Sequence, residues 1–210
     1  AVLLTEIRNK HYRKITQSLM FLPYFISWVI VGVMAFNIFS SDYGFLNRLI
    51  ETFGGTPIKF YTTPKAWPFI LVFFKVWKGI GYGSVMYLAA IMGIDTSIYE
   101  AARIDGANVF QRIFKVTIPM IMPTTIILLL LSVGGIFKGN FDMFYNLVGS
   151  NGLLYNYTDV IDTLTFRALI SSNDFGMSAA VGLYQSVLCF VFIMLANAVV
   201  KRIDSDSALF

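Results

Sequence analysis

Three long stretches of the chain contain only uncharged, mainly apolar residues. They cover residues 19–39, 119–137 and 175–200, and none contains Asp, Glu, Lys or Arg. A helix needs about 20 apolar residues to cross a hydrocarbon core about 30 Å thick, where its backbone must satisfy its own hydrogen bonds. Each stretch therefore predicts a membrane-spanning helix.

A fourth stretch, residues 67–93, is long enough for a span but contains Lys75 and Lys78. We still predict a span here, because a fourth crossing places every basic cluster on one face of the membrane. The two lysine side chains then extend along the outer half of the helix toward water. The predicted fold class is all-α: a polytopic helical membrane protein with four visible transmembrane helices.

The basic residues predict the orientation of the chain in the membrane. With four crossings, one face receives nine Lys and Arg residues and the opposite loops receive five. The nine are Arg8, Lys10, Arg13, Lys14, Arg103, Arg112, Lys115, Lys201 and Arg202. The positive-inside rule makes their face cytoplasmic. The C-terminus is then cytoplasmic, and residues 95–118 form the only cytoplasmic loop between spans.

The composition supports a membrane protein and excludes several other classes. Of the 210 residues, 57% are hydrophobic and 13% are charged, whereas about 25% are charged in soluble domains. This apolar content excludes disorder, and the single cysteine, Cys189, excludes a disulfide scaffold. A net charge of +4 is too small for a strongly basic nucleic-acid-binding protein, so no nucleic-acid partner is predicted.

The cytoplasmic loop predicts two short helices joined by a glycine turn. The first has Asp95 or Thr96 as its N-cap and ends near Asp105 and Gly106, a pair that favours a left-handed helix cap. The second has apolar residues at helical spacing and leads into the next span at Pro119. Small residues at the turn permit close approach of a soluble partner. On composition alone, a hairpin that only connects two spans explains the same pattern.

The spacing within this loop resembles a known motif. Glu100, Ala101 and Ala102 are followed after three residues by Gly106, and after nine more by Val116 and then residues 118–119. This is similar to the pattern EAA, three residues, G, nine residues, I, one residue, LP of type I binding-protein-dependent ABC importer permeases. Val and Ile replace the Ile and Leu of that pattern and keep its apolar character.

Other segments resemble the oligosaccharide and polysaccharide branch of these permeases, which includes maltose-permease-like subunits. They are residues 22–32, 77–95 and 159–169. A single permease domain over residues 1–210 is implied. Subunits of this family usually have six spans, so we expect the N-terminal part, with about two spans, to be missing before Ala1.

The resemblance implies that the loop is a coupling helix, which docks in a cleft of a cytoplasmic ATPase. Glu100 is expected to make polar contacts at that joint, Ala101 and Ala102 to allow tight packing, and Asp105 and Gly106 to form the turn. The alternative for Glu100 is an exposed helix carboxylate without a docking role.

The implied partners are a second homologous permease, two ABC ATPase subunits, an extracytoplasmic solute-binding protein and membrane lipid. The sequence contains no G-x-x-x-x-G-K-[ST] phosphate loop, so ATP and Mg are assigned to the partner ATPases and no cofactor or enzyme activity to this chain. The expected function is import of oligosaccharides or polysaccharide fragments by alternating access across a bacterial cell membrane. The alternatives are a permease for a non-sugar solute, a non-transporting scaffold and an intramembrane enzyme.

For several further residues in the predicted spans, the sequence suggests more than one role. Lys78 either faces a translocation cavity or partner permease, or extends to the membrane surface. Gly79 and Gly83 form a GxxxG pair typical of close helix packing. Tyr184 and Gln185 either line a cavity or bond to a neighbouring helix.

A set of aromatic and amide residues near the outer end of a span fits either a sugar path or an interfacial aromatic belt. It comprises Asn140, Phe141, Asp142, Phe144, Tyr145 and Asn146. His11 is the only histidine and Cys189 the only cysteine, so no metal site is predicted. We expect His11 to be solvated or to face lipid headgroups, and Cys189 to be a small buried apolar residue.

Overall fold

The structure is a computed structural model that describes residues 1–7, 9–203 and 208–209. Arg8, one of the nine cations counted above, lies outside these residues. Within the described residues every regular element is helical, which confirms the all-α class. The α-helices are α1 Val2–Thr5, α2 Lys10–Phe21, α3 Trp28–Phe39, α4 Phe45–Thr52, α5 Trp67–Met92, α6 Thr96–Ile104, α7 Val109–Arg112, α8 Ile118–Met120, α9 Met122–Gly134, α10 Phe141–Val148, α11 Tyr155–Thr158, α12 Ile161–Ser172 and α13 Phe175–Ile203. Short 3₁₀ turns lie at Leu22–Phe25, Phe60–Thr62 and Pro64–Ala66, and a π-turn at Ile113–Thr117.

Two helical segments, Pro64–Met92 and Phe175–Arg202, are long and apolar enough to cross a membrane. Two pairs of shorter segments meet the same criterion together: Lys10–Phe25 with Trp28–Phe39, and Val109–Met120 with Met122–Gly134. By length and composition, the described chain therefore has two such helices, or four if each bent pair is one span. The number of crossings stays a prediction.

The first bent pair is interrupted within the predicted span 19–39. Pro23 has no amide hydrogen to donate, and the chain adopts a 3₁₀ turn there. Ser27 then has extended backbone and caps α3, accepting a hydrogen bond at Oγ from the amide of Ile30 at 3.4 Å. The absence of charge in this stretch gave no indication of the break.

The second bent pair turns by 56° at Ile121. Pro123 has no amide hydrogen for the carbonyl of Pro119, and its ring crowds that carbonyl, so the helix cannot continue unbroken. The predicted entry into the span at Pro119 thus lies inside α8, and α9 begins after the bend at Met122.

The chain forms two compact units. Unit 1 comprises Ala1–Pro23, Gly79–Ile136 and Leu188–Phe210, and unit 2 comprises Tyr24–Lys78 and Phe137–Val187.

Unit 2 has a continuous apolar core. Its buried members are Val31, Ala35, Phe39, Trp67, Ile70, Leu71, Phe74, Met143, Leu147, Val148 and Leu154. Trp67 is completely buried, and its indole Nε1 donates a hydrogen bond to the Phe60 carbonyl at 2.9 Å, so its one polar group is satisfied. Helices α3 and α10 approach closely at Gly32, where a Cβ would lie 2.4 Å from the Asn146 carbonyl oxygen.

The loop between α4 and α5 is held by Asn47, which is 2% exposed. Its Nδ2 donates hydrogen bonds to the carbonyls of Ser40 at 3.1 Å and Ile58 at 2.9 Å, while its Oδ1 accepts from the Ile58 amide at 2.8 Å. These bonds join the end of α3, the middle of the loop and α4 through one side chain.

In unit 1, α2 and α5 meet backbone to backbone. A Cβ on Gly81 would lie 2.1 Å from the Met20 carbonyl oxygen and 2.5 Å from Phe21 Cα, so only glycine fits there. A second close approach joins α9 and α13, where a Cβ on Gly134 would lie 2.8 Å from the Ile193 side chain. The helices of this unit therefore pack through small residues, as is common in membrane bundles.

Candidate functional site

The first arm of the predicted cytoplasmic hairpin (residues 95–118) is α6. Asp95 is its N-cap: the backbone is extended there, and Oδ1 accepts a hydrogen bond from the Ser97 amide at 2.9 Å. Hydrogen bonds from the backbone and side chain of Ser97 hold the pKa of Asp95 below its ordinary value. Of the two predicted cap residues, Asp95 is thus confirmed.

The turn after α6 is a Schellman motif. Gly106 has φ of 76°, in the left-handed region where side chains with a Cβ are disfavoured. The Ala107 amide donates to the Ala102 carbonyl at 2.9 Å, and the Gly106 amide donates to the Arg103 carbonyl at 3.0 Å. The predicted end of the helix near Asp105 and Gly106 is confirmed.

The second arm starts two residues later with a capping box that the sequence analysis missed. Asn108 Oδ1 accepts from the Gln111 amide at 2.9 Å, and Gln111 Oε1 accepts from the Asn108 amide at 2.8 Å. The spacing Asn-x-x-Gln was the available signal for it. The arm continues through α7 into the π-turn, where the predicted apolar helix residues lie.

The predicted coupling residues lie together on this hairpin. Glu100, Ala101, Asp105 and Gly106 are exposed, and Ala102 is half-buried.

Large apolar side chains around these residues are also exposed. Ile104 is 87% exposed, Phe110 72% and Phe114 66%. Exposed apolar surface of this kind is typical of contacts with another protein or with the membrane. The hairpin therefore presents an apolar surface next to the predicted coupling residues, and its role stays a prediction.

One polar contact joins the two arms of the hairpin, and a second joins the hairpin to the rest of unit 1. The Tyr99 hydroxyl lies 3.0 Å from Thr117 Oγ1, which joins the first arm to the π-turn. The Arg112 guanidinium lies 3.6 Å from the Glu6 carboxylate, in the segment that follows α1. An open cleft of about 780 Å³ is lined by these residues and by Glu100.

The aromatic and amide set at α10 is mostly packed within unit 2. Asn140 caps α10 by accepting a hydrogen bond from the Met143 amide, and Asn146 donates to the Asp142 carbonyl within the helix. Phe141 stacks on Tyr145, with ring centroids 5.2 Å apart. The structure thus gives these residues structural contacts, and the choice between a sugar path and an aromatic belt stays open.

A small cavity beside α10 contains a charged cluster. The Arg167 guanidinium forms an ion pair with Asp159 and lies 3.9 Å from the Tyr155 ring centroid, while Thr163 donates to Asp159 at 2.6 Å. Partial burial raises the pKa of Asp159, but the hydrogen bonds from Arg167 and Thr163 and the charge of Arg167 outweigh it, so this pKa lies below its ordinary value. The cavity of about 20 Å³ holds about one water molecule, not a sugar ring.

Of the two polar residues singled out in the last predicted span, Gln185 is buried and Tyr184 is exposed. The Gln185 amide nitrogen donates to the Phe137 carbonyl at 2.8 Å and lies 3.3 Å from Asp162 Oδ1. The Asp162 carboxylate also accepts a hydrogen bond from the Gly139 amide. Gln185 therefore bonds to neighbouring segments of unit 2, as one of the two hypotheses stated.

Lys78 lies near the midpoint of the predicted span at residues 67–93 and contacts the segment before α3. Its ammonium donates to the Tyr24 carbonyl at 2.6 Å and lies 5.5 Å and 5.4 Å from the ring centroids of Tyr24 and Trp28. Lys75 is exposed. These contacts are made within the chain, and neither hypothesis for Lys78 is decided by them.

The structure also describes the glycine pair, the cysteine and the histidine that the sequence analysis singled out. Gly79 and Gly83 have no atom of the described chain within 4 Å of a Cβ position, so the close contact of α5 falls on Gly81 between them. Cys189 is buried, as expected, and His11 is exposed. Within the described residues, no group of three His, Cys, Asp or Glu side chains is placed to hold a metal ion.

The family is identified by comparison with known proteins. The model of the family "Binding-protein-dependent transport system inner membrane component" matches residues 1–205. The chain belongs to this family, and the resemblance to ABC importer permeases is confirmed.

Two relatives from Bacillus subtilis (strain 168) match 98% of the chain. Protein LplB is 34% identical, and the polygalacturonan/rhamnogalacturonan transport system permease protein YteP is 32% identical. The chain spans 64% of the length of each of these relatives.

A solved structure of a bacterial ABC transporter involved in import of the acidic polysaccharide alginate contains a chain of the same fold. The TM-score is 0.91 at 32% identity, over 97% of this chain and 70% of that chain. A second structure, of a bacterial alginate ABC transporter in complex with an alginate pentasaccharide-bound periplasmic protein, gives a TM-score of 0.90 at 33% identity, over 96% and 69% of the two chains.

Proposed function

We propose that this chain is the membrane-embedded permease part of an ATP-driven ABC importer for oligosaccharides or polysaccharide fragments. The observation that carries the proposal is the exposed hairpin, which presents Glu100, the two alanines and Gly106 beside bare apolar side chains. Exposed apolar surface of this kind marks a contact with another protein or the membrane, and in a member of this transport family we assign it to a soluble partner.

In this proposal the hairpin docks in a cleft of a cytoplasmic ATPase. Ile104 and Phe110 supply the apolar contact, Ala101 allows close packing, and Glu100 makes polar contacts at the edge. The turn at Gly106 holds both arms at a fixed angle, because its backbone bonds close a Schellman motif. Closure of the ATPase pair around ATP and Mg then moves the hairpin, and alternating access follows.

The proposed topology has four crossings in the bacterial cell membrane, with the hairpin and the C-terminus in the cytoplasm. The excess of Lys and Arg on that face supports it. The proposed partners are a second permease, two ATPase subunits and an extracytoplasmic solute-binding protein. The alginate transporter solved with its pentasaccharide-bound periplasmic protein supports the last of these.

The sugar class rests on the relatives' names. YteP is named for polygalacturonan/rhamnogalacturonan transport, and the matching structures are alginate transporters. A permease for a non-sugar solute is the first alternative, and a non-transporting scaffold is the second.

The test is purification of the membrane complex from cells that carry the full-length gene, followed by assay of ATPase retention and sugar-stimulated ATP turnover. Glu100→Arg is compared with Glu51→Arg, a matched change of an exposed helix carboxylate in α4. We expect Glu100→Arg to lower retention or stimulation and Glu51→Arg to leave both unchanged. Stimulation by a non-sugar solute alone would favour the first alternative, and a wild-type complex without ATPase would refute the importer function.

A further inference from the structure

The Tyr99 hydroxyl and Thr117 Oγ1 form a hydrogen bond of 3.0 Å between residues 18 positions apart. Tyr99 lies on α6 directly before Glu100, and Thr117 is the last residue of the π-turn. Thr117 is only 3% exposed, so its hydroxyl is shielded from water that would compete for the bond. The same oxygen lies 3.4 Å from the Arg112 carbonyl.

A π-turn interrupts the regular helix of the second arm. Its amide-to-carbonyl bonds reach five residues back instead of four, as the Ile118 amide does to the Ile113 carbonyl. Such turns are rare, and they often occur at functional sites. Apolar contacts alone allow α6 to slide along the following helix. A hydrogen bond between the two arms fixes both their distance and their relative direction.

We propose that Tyr99 and Thr117 are a positioning pair that makes the two arms of the hairpin move as one body. Movement of α6 by a docked ATPase is then passed through the hydroxyl pair to the π-turn and on to α8 and α9. The Arg112 and Glu6 ion pair steadies the same arm from the side of α1. This inference rests on the proposed coupling function.

The experiment uses the purified complex and measures the ratio of substrate-stimulated to basal ATP turnover, together with ATP consumed per substrate imported. Tyr99→Phe and Thr117→Val each remove one hydroxyl with little change of shape, and Thr117→Ser keeps the hydroxyl. Tyr87→Phe is the control, since the Tyr87 hydroxyl has no hydrogen-bond partner within the described part of the chain. We expect Tyr99→Phe and Thr117→Val each to lower the stimulation ratio by about fivefold, in the range of known coupling effects.

Thr117→Ser and Tyr87→Phe are expected to keep the wild-type ratio, and the double variant to fall no further than either single variant. If Tyr99→Phe and Thr117→Val assemble with the ATPase and keep the wild-type ratio, the positioning pair is refuted while the coupling function stands. Equal loss of assembly in Thr117→Ser and Thr117→Val also overturns it, because side-chain shape would then matter and the hydroxyl would not. A wild-type complex without ATPase refutes the proposed function itself.

Discussion

Replacement of Gly106 by alanine should open the turn of the hairpin, and the chain contains a matched control for it. Gly54 has φ of 78° and Gly106 has φ of 76°, and neither has an atom within 4 Å of a Cβ position. Gly54 also ends its helix in a Schellman motif: its amide donates to the Glu51 carbonyl at 2.9 Å, and the next amide to the Ile50 carbonyl at 2.9 Å. The two glycines thus differ in location but not in local geometry.

The magnitude follows from the backbone. A residue with a Cβ costs roughly 1–2 kcal/mol in the left-handed region, and the open surroundings add no clash at either site. Alanine also lowers the entropy of the opened turn, which offsets about 0.4–1 kcal/mol. The net cost is about 1 kcal/mol, which makes the opened turn about five times more populated.

Hydrogen exchange measured by mass spectrometry reports this opening directly. In Gly106→Ala, the amides of residues 106 and 107 should exchange about fivefold faster than in the wild type, with residues 54 and 55 unchanged. Gly54→Ala should show the reverse pattern. Gly106→Asn should lie between wild type and Gly106→Ala, since asparagine tolerates the left-handed region better.

Only Gly106→Ala should also lower ATPase retention, because only this turn lies on the proposed docking surface. Unchanged exchange at residues 106–107 in Gly106→Ala would show that the turn does not need a left-handed residue. Equal loss of ATPase retention in both alanine variants would show that the effect is general instability and not docking.

Three further predictions concern unit 1 and unit 2 separately. Gln185→Leu removes a buried donor from two partly buried acceptors and should cost about 1–3 kcal/mol. This loss should appear as a lower thermal midpoint in detergent, and an unchanged midpoint would contradict the bridge. Gly81→Ala places a Cβ 2.1 Å from a backbone oxygen and should reduce the yield of folded protein, whereas Gly79→Ala should not; equal yields would disprove the close contact. Because the folded pKa of Asp159 lies below its ordinary 3.8, its ion pair with Arg167 stabilises the fold above that value, and this stabilisation is lost as the pH falls through the lowered pKa. Thermal melts between about pH 6 and pH 3 should therefore show a steeper loss for the wild type than for Asp159→Asn, and parallel profiles would refute this role.

The hairpin was largely predictable because its signals are local. Asp95 and Gly106 fix the ends of α6 through bonds to residues within five positions, so residue type and spacing suffice. The motif that begins at Glu100 then identified the family. The role of these residues in coupling stays a prediction, since it depends on partner chains.

Contacts between distant segments were not predictable in the same way. The GxxxG spacing pointed to Gly79 and Gly83, but the close approach falls on Gly81, because the position of α2 decides which face of α5 is covered. The bond between Tyr99 and Thr117 likewise depends on the turn and the π-turn that separate them. Neither residue type nor spacing encodes these geometries.

The π-turn also sets the rotational phase of the second arm. An α-helix rotates by about 100° per residue. A π-turn forms its hydrogen bonds to the fifth residue back, so it contains one residue more than an α-helical turn. The side chains of α7 are therefore offset by roughly a quarter turn from where an unbroken helix through α8 would place them. Loss of one residue from Ile113–Thr117 would restore the regular phase and rotate the face carrying Phe110 about the helix axis. The count of residues in this one turn thus selects which face of the arm is presented, independently of the chemistry of that face.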